Sequence, residues 1–271
     1  MKKLAACLVG GVMLVSCVSG TDRKEAEMNH FVDDLMNKMT LEEKVGQLNL
    51  VSVGFDVTGP ILSENVEEKI KAGQVGGVFN TFTPDAVRKL QNIAVNETRL
   101  GIPLLSGYDV IHGHKTIFPV PLGLSASWDM DLIGRVARAS ADEASADGVN
   151  WIYSPMVDIV RDPRWGRVSE SNGEDPYLSS CIARTMVENF QLDDLSKENT
   201  VMACLKHFAL YGASEAGRDY NTVDMSRIRM YNEYLPPYKA AVEAGVGSVM
   251  TSFNEIDGIP RSEEHTSELQ S

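Results

Sequence analysis

Three short stretches carry the residues best suited to chemistry, and each follows or closes an apolar run. Residues 104–110 (LLSGYDV) deliver Asp109, with His112 and His114 just beyond. Residues 161–167 (RDPRWGR) set Arg161, Arg164 and Arg167 around Trp165, and residues 201–208 end in Lys206-His207-Phe208. A carboxylate in the position of Asp109 can accept two hydrogen bonds from vicinal hydroxyls, or cap the segment that follows. The planar fork of arginine fixes carboxylates or polar ligands, while one or two of these three arginines pair structurally with Asp162, Glu170 or Asp175. Trp165 suits either the core or a stacking face. A lysine ending a buried strand is costly unless its ammonium reaches a cavity or a partner, or snorkels to solvent. Two histidines two apart could hold a metal from an extended segment, but no third ligand stands at suitable spacing, so no metal site is expected. Together, Asp109, one of these arginines, Lys206 and His207, at the C-terminal ends of three successive strands, describe one pocket rich in hydroxyl-binding groups.

The elements that must position these groups alternate. Thr40 with Glu43 forms a capping-box pattern opening a helix over 41–48. Residues 74–79 (QVGGVF) fit a buried strand. Thr83 as N-cap and Pro84 at the first helical position start a helix with Val87, Leu90, Ile93 and Ala94 on one face. Strand 104–110 follows, then a helix from Asp129 to Asp147 stopped by Gly148. Strand 151–157, a helix opened by Asp175-Pro176 and running to Phe190, strand 201–208, a largely helical stretch over 226–244 and strand 247–253 complete the series. That is about five β-α units with continuously apolar strands, the mark of a parallel sheet covered by helices. No glycine-rich phosphate loop follows the first strand, and polar residues gather at C-terminal strand ends. The expected fold is therefore an incomplete α/β (β/α)8 TIM-like barrel, whose active site lies on that face.

The chain has 271 residues and a net charge of −13, which argues against nucleic acid or an anionic membrane surface as partners. Lys2 and Lys3 precede an apolar core over 4–15, too short to span a bilayer as a mature helix. Leu14-Val15-Ser16-Cys17 resembles a bacterial lipoprotein signal, so 1–16 is expected to be removed, Cys17 lipidated, and 17–28 to form a polar tether. The expected location is the periplasm or outer membrane, with membrane contact only through that lipid. Of the remaining cysteines, Cys204 reads as a small buried hydrophobe, and no disulfide framework is expected. Residues 29–260 form the expected domain, and the polar run 261–271 reads as foreign sequence.

The segments GYDVIHG (107–113), PMVDIVRDPRWGRVSESNGEDPYL (155–178), CLKHFALYG (204–212), GRDYNTVDMS (217–226) and VMTSFNEIDGIP (249–260) occur in a recognisable order and spacing. They resemble the N-terminal barrel domain of glycoside hydrolase family 3, bacterial β-glucosidase type, over residues 30–260. The resemblance implies retaining hydrolysis of terminal non-reducing β-D-glucosyl residues from small β-linked oligosaccharides or β-glucosides, without a cofactor. It further implies that Asp109, Arg167, Lys206 and His207 grip the terminal sugar. Phe253 stands where family members often carry a tyrosine near the sugar. The family's nucleophilic aspartate belongs to an S-D-W-like or S-D-H-like strand end, a motif that does not occur here, and its acid/base usually comes from a second domain. No catalytic residue is therefore expected in this chain, and Asp56, Asp158, Asp219, Asp224 and Glu255 are not assigned that role. Alternatives within the family are a β-xylosidase and a β-N-acetylhexosaminidase, the latter marked by a K-H-F-P-G-H-G loop where this chain reads KHFALYGASEAG. A non-catalytic sugar-binding lipoprotein is the alternative outside it.

Overall fold

The computed structural model describes residues 20–54 and 63–260. The expected signal segment 1–16, the lipidation site Cys17, Asp56 and the tail 261–271 lie outside the described residues. Two compact units are distinguished, Met1–Lys44 and Val45–Ser271. In the first, helix α1 runs over Gly20–Lys38. The part of the expected tether that is described, from Gly20 on, is thus helical. Its Arg-Lys-Glu-Ala-Glu run consists of good helix formers, and Arg23 pairs with Glu27 one turn on at 2.9 Å. The capping box forms as expected at the start of α2 (Leu41–Gln47). The Thr40 N–H donates to the Glu43 carboxylate at 2.9 Å, and the Glu43 N–H donates to the Thr40 hydroxyl at 3.2 Å.

The second unit is built on a sheet of six parallel strands. They are β1 (Leu50–Ser52), β2 (Gly77–Phe79), β3 (Leu105–Tyr108), β4 (Trp151–Ile152), β5 (Met202–Phe208) and, after a short strand β6 (Thr222–Val223), β7 (Ser248–Thr251). The strands lie in chain order, each joined to the next by helix-bearing connections: an α/β, TIM-like arrangement. The sheet holds one strand more than the five expected, because three-residue β1 is too short to leave a periodic signal. The run 151–157 leaves the ladder after Ile152. Pro155 has no N–H to donate there, and beyond Ile152 the chain keeps only irregular backbone hydrogen bonds to β3 and β5, with a bridge between Met156 and Lys206. Strand β6 pairs with β8 (Glu255–Ile256), which pairs with β9 (Ile259–Pro260), forming a small second sheet.

The helices hold the register their sequences imply. In α4 (Pro84–Asn96), Val87, Leu90, Ile93 and Ala94 are the buried residues. Asp129 caps α6 (Met130–Ala146) by accepting from the Leu132 N–H at 2.9 Å. Asp175 caps α7 (Pro176–Gln191) by accepting from Leu178 at 2.7 Å. After α6, Gly148 takes φ +88, a conformation open to glycine at little cost. Two shorter helices, α3 (Val66–Lys71) and α5 (Pro121–Ser125), complete the connections, and apolar clusters fill the space between helices and sheet. The largest joins Ala137, Ala141 and Ala144 of α6 to Ala183 and Val187 of α7 and to Ala203 and Leu205 of β5. Small residues on facing sides let these elements approach closely. The expected helix over 226–244 is interrupted. A short α8 (Arg227–Arg229) widens into a π-helical turn over Met230–Tyr234, and α9 (Pro236–Glu243) restarts with Pro236 at its first position. No described helix is long and apolar enough to cross a membrane.

Candidate active site

The C-terminal end of β5 and the connections that follow β3 and β4 bring the four expected residues to one end of the sheet. Asp109 follows directly on β3 and is more than half exposed, whereas Lys206 in β5 is almost wholly buried, with 4% of its side chain exposed. Its Nζ donates to Asp109 Oδ1 at 2.7 Å, so the lysine reaches a partner rather than snorkelling to solvent. His207, next in the strand, is buried as well. In this segment the pairing of β5 with β7 shifts register between Lys206 and Phe208, and the Lys206–His207 and Phe208–Ala209 peptide bonds are cis.

Arg167 lies in the long connection after β4, before a 3₁₀ turn over Val168–Glu170. Of the three arginines it is the one joined to Glu170. Nε donates to Oε1 and Nη2 to Oε2, both at 2.7 Å, a bidentate fork that leaves Nη1 for a ligand. Burial works against the Arg167 charge, but Glu170 outweighs it and raises the guanidinium above its ordinary range. Burial likewise opposes ionisation of Glu170. The Arg167 bonds and charge, with smaller contributions from Lys206 and His207, hold its carboxyl below the usual range. That last dependence ties the Arg167 branch of the site to the β5 branch. Tyr211 closes the gap: its buried ring lies 5.5 Å from the Arg167 guanidinium carbon and 5.1 Å edge-on from the His207 ring.

The same ring carries an aromatic cluster. Trp165 packs on Tyr211 at 5.0 Å and is buried, so it takes the core role of the two open to it, donating Nε1 to Asp219 at 3.1 Å. Tyr220 and Phe253 are exposed and lie 5.1 Å apart beside it. Arg164 pairs with its neighbour Asp162, and Arg161 with Glu233, so both arginines serve the loop. Glu255 is engaged by Thr222 across the small sheet.

Neither His112 nor His114 is placed as a metal ligand. His112 meets the Phe118 carbonyl at 3.0 Å, and His114, its side chain buried, meets Asp147 at 2.9 Å beside the touching rings of Phe82 and Tyr108. Among the described residues there is no group of three or more His, Cys, Asp or Glu able to hold a metal. Two groups at the site escape the sequence reading: Asp158 against His207, and Tyr238 against both. The signal for Asp158 is a lone charge inside the apolar run MVDIV, which burial would penalise unless partnered.

Comparison with known proteins places the chain among its relatives. A periplasmic beta-glucosidase of Salmonella typhimurium is 50% identical over 230 residues, covering 85% of this chain and 30% of that protein. A putative beta-xylosidase of Formosa agariphila is 33% identical over 286 residues, covering 96% and 38%. Crystal structures of the beta-glucosidase from Listeria innocua in complex with isofagomine and with glucose are 44% and 43% identical. They superpose with TM-scores of 0.78 and 0.77 over 86% of this chain and 33% and 34% of theirs. The chain thus spans about a third of the length of these relatives. The family model described as the glycosyl hydrolase family 3 N terminal domain matches residues 40–267, and the chain belongs to that family.

Proposed function

We propose that this chain is the sugar-gripping portion of an exported exo-acting β-glucosidase that removes the terminal non-reducing glucosyl residue of short β-linked oligosaccharides with retention. The observation that carries this reading is the convergence of Asp109, Lys206, His207 and Arg167 on one strand-end face, joined by the 2.7 Å Lys206–Asp109 pair. Cations alternating with carboxylates suit a ring of hydroxyls, each of which both donates and accepts. The glucose complex of the Listeria innocua relative supports glucose as the terminal sugar. Export follows from the basic and apolar start of the chain and from the periplasmic relative, and a lipid on Cys17 is the proposed anchor.

Retaining hydrolysis needs a carboxylate nucleophile and a separate carboxylic acid. The carboxylates at this face are otherwise committed. Asp109 accepts from Lys206, Asp158 from the His207 backbone, and Glu170 from Arg167, whose charge drives its carboxyl in the direction opposite to that of a general acid. None of the three is placed to cleave the bond: Asp109, Arg167, Lys206 and His207 hold the sugar, and bond cleavage falls to other carboxylates.

Calorimetric titration of the chain with glucose, xylose and N-acetylglucosamine tests the reading. Glucose should bind best, with Asp109→Ala weakening it by about tenfold or more. Tighter xylose binding would favour a β-xylosidase, the reading that the Formosa agariphila relative supports. Preference for N-acetylglucosamine would point to a hexosaminidase, and indifference to all three would sink the site. Turnover of a nitrophenyl β-glucoside by this chain alone would overturn the division between holding and cleaving.

A further inference from the structure

Asp158 takes no part in the proposed sugar grip, yet it is the most deeply buried carboxylate beside it, with 0% of its side chain exposed. It sits between Val157 and Ile159, which are also buried. A carboxylate in such surroundings is tolerable only when both oxygens are satisfied. Here they are. Oδ2 accepts from the His207 backbone N–H at 3.2 Å and stands 2.8 Å from His207 Nδ1, and Oδ1 stands 2.7 Å from the Tyr238 hydroxyl. That hydroxyl also lies 2.6 Å from the His207 carbonyl oxygen. Burial, reinforced by Asp158, pushes the Tyr238 phenol well above its ordinary range, so it stays a donor. The phenol has one hydrogen and the charged Asp158 oxygen is the stronger acceptor, so Asp158 of the β4 connection clamps His207 at its ring and its N–H, and Tyr238 of α9 holds Asp158.

The chemistry of the pair decides what this clamp does. A carboxylate only accepts, so Nδ1 must carry a proton whether the imidazole is neutral or charged. Nε2 is then the ring nitrogen left for a ligand, as an acceptor in the neutral ring and a donor in the charged one. The Tyr211 ring, edge-on at 5.1 Å, packs against the imidazole and limits its rotation. We infer that Asp158 is a positioning residue that fixes His207 in the Nδ1-protonated form and keeps Nε2 available to a sugar hydroxyl. The ligand half of this inference rests on the function proposed above, and the protonation half does not.

Two measurements separate the halves. In the full chain labelled with ¹⁵N-histidine, the His207 signal (identified by its loss in His207→Gln) should show Nδ1 protonated. A neutral ring protonated at Nε2 alone would overturn the inference. Asp158→Ala should release the ring and move both nitrogen shifts toward tautomer-averaged values. Glucose affinity should fall about tenfold in Asp158→Ala, the scale of coupling between groups in direct contact, and this loss should vanish in a His207→Ala background. Equal losses in both backgrounds would show that Asp158 does not act through His207. Should the alanine variant not fold, Asp158→Asn keeps the size and one accepting oxygen and should weaken glucose in the same His207-dependent way. If His207→Ala alone leaves glucose binding unchanged, the sugar role of His207 fails, and the nitrogen shifts decide the role of Asp158.

Discussion

Lys206 and Asp109 form a pair whose members differ in their dependence on each other. The lysine is 4% exposed and the aspartate 59%, so the two halves face different surroundings. Removing Asp109 strands a buried ammonium, whereas removing Lys206 leaves a carboxylate that water can solvate. Asp109→Ala should therefore cost about 2 kcal/mol, between the values for exposed and fully buried pairs, while Lys206→Met should be near neutral. Urea unfolding of the two variants checks this, and the opposite order of stabilities would show that the lysine has another partner. Glu170 yields a pH-dependent counterpart. Its folded-state carboxyl titrates below the ordinary value of 4.5, so its contribution is complete above that pH and is lost as pH falls through the folded value. Wild-type unfolding midpoints should drop between about pH 5 and about pH 3 more steeply than those of Glu170→Gln, and parallel curves would remove Arg167–Glu170 from the acid response. Charge at strand ends makes Asp109, Lys206 and His207 stand out in the sequence, whereas the choice of Arg167 among three arginines rests on the resemblance to the family. The sequence does not show Asp158 and Tyr238 as a pair, because they lie 80 positions apart and meet only when α9 packs over β5.

The elements were legible where a local signal sets them. Asp175-Pro176 announces α7 because the cap and the fixed proline φ act within one turn. Strand bounds were not, since the regular ladder ends where pairing becomes irregular, as in the run 151–157, which keeps single backbone hydrogen bonds to its neighbours after Ile152 but no continuous ladder. The π-helical turn before Pro236 and the three-residue β1 are invisible for the same reason: neither has a period of its own. Gly107 shows how tightly one such element is fitted to the site. A Cβ built there would stand 2.1 Å from the Tyr153 hydroxyl, two residues before Asp109. That hydroxyl is buried and has no hydrogen-bond partner among the described residues, so the ring is held by packing. Gly107→Ala should cost about 1–3 kcal/mol by overpacking and weaken glucose binding by displacing Asp109. Tyr153→Phe deletes the nearest atom but leaves ring carbon Cζ 2.7 Å from that Cβ, so it should be nearly neutral alone and should restore only part of both losses in the double variant. Thermal unfolding and titration of the three proteins would expose additive behaviour, which would contradict the contact.

On the scale of the molecule, the sheet is uneven in its exposure. Strand β7 is the last in the order, with one side unpaired among the described residues. Beside it a groove of ≈ 570 Å³ is lined by Phe208, Leu235, Val242 and Val249, together with Leu205 and the ring of Tyr238. Phe208, Val242 and Val249 are each about half exposed, a larger contiguous apolar surface than single scattered residues would make. An unpaired parallel edge next to such a groove favours association between copies. The net charge of −13 opposes it through mutual repulsion that salt screens. Self-association of this polypeptide should accordingly grow as ionic strength rises from about 0.02 M to about 0.5 M, where the screening length shrinks to a few ångströms. Val242→Glu places a carboxylate in the groove without touching the Asp109–Lys206 pair, and should hold the chain closer to monomer at every salt concentration. Sedimentation velocity reads both effects. A wild-type chain that stays monomeric in high salt, or a Val242→Glu variant that associates as strongly as the wild type, would show that the groove does not drive association.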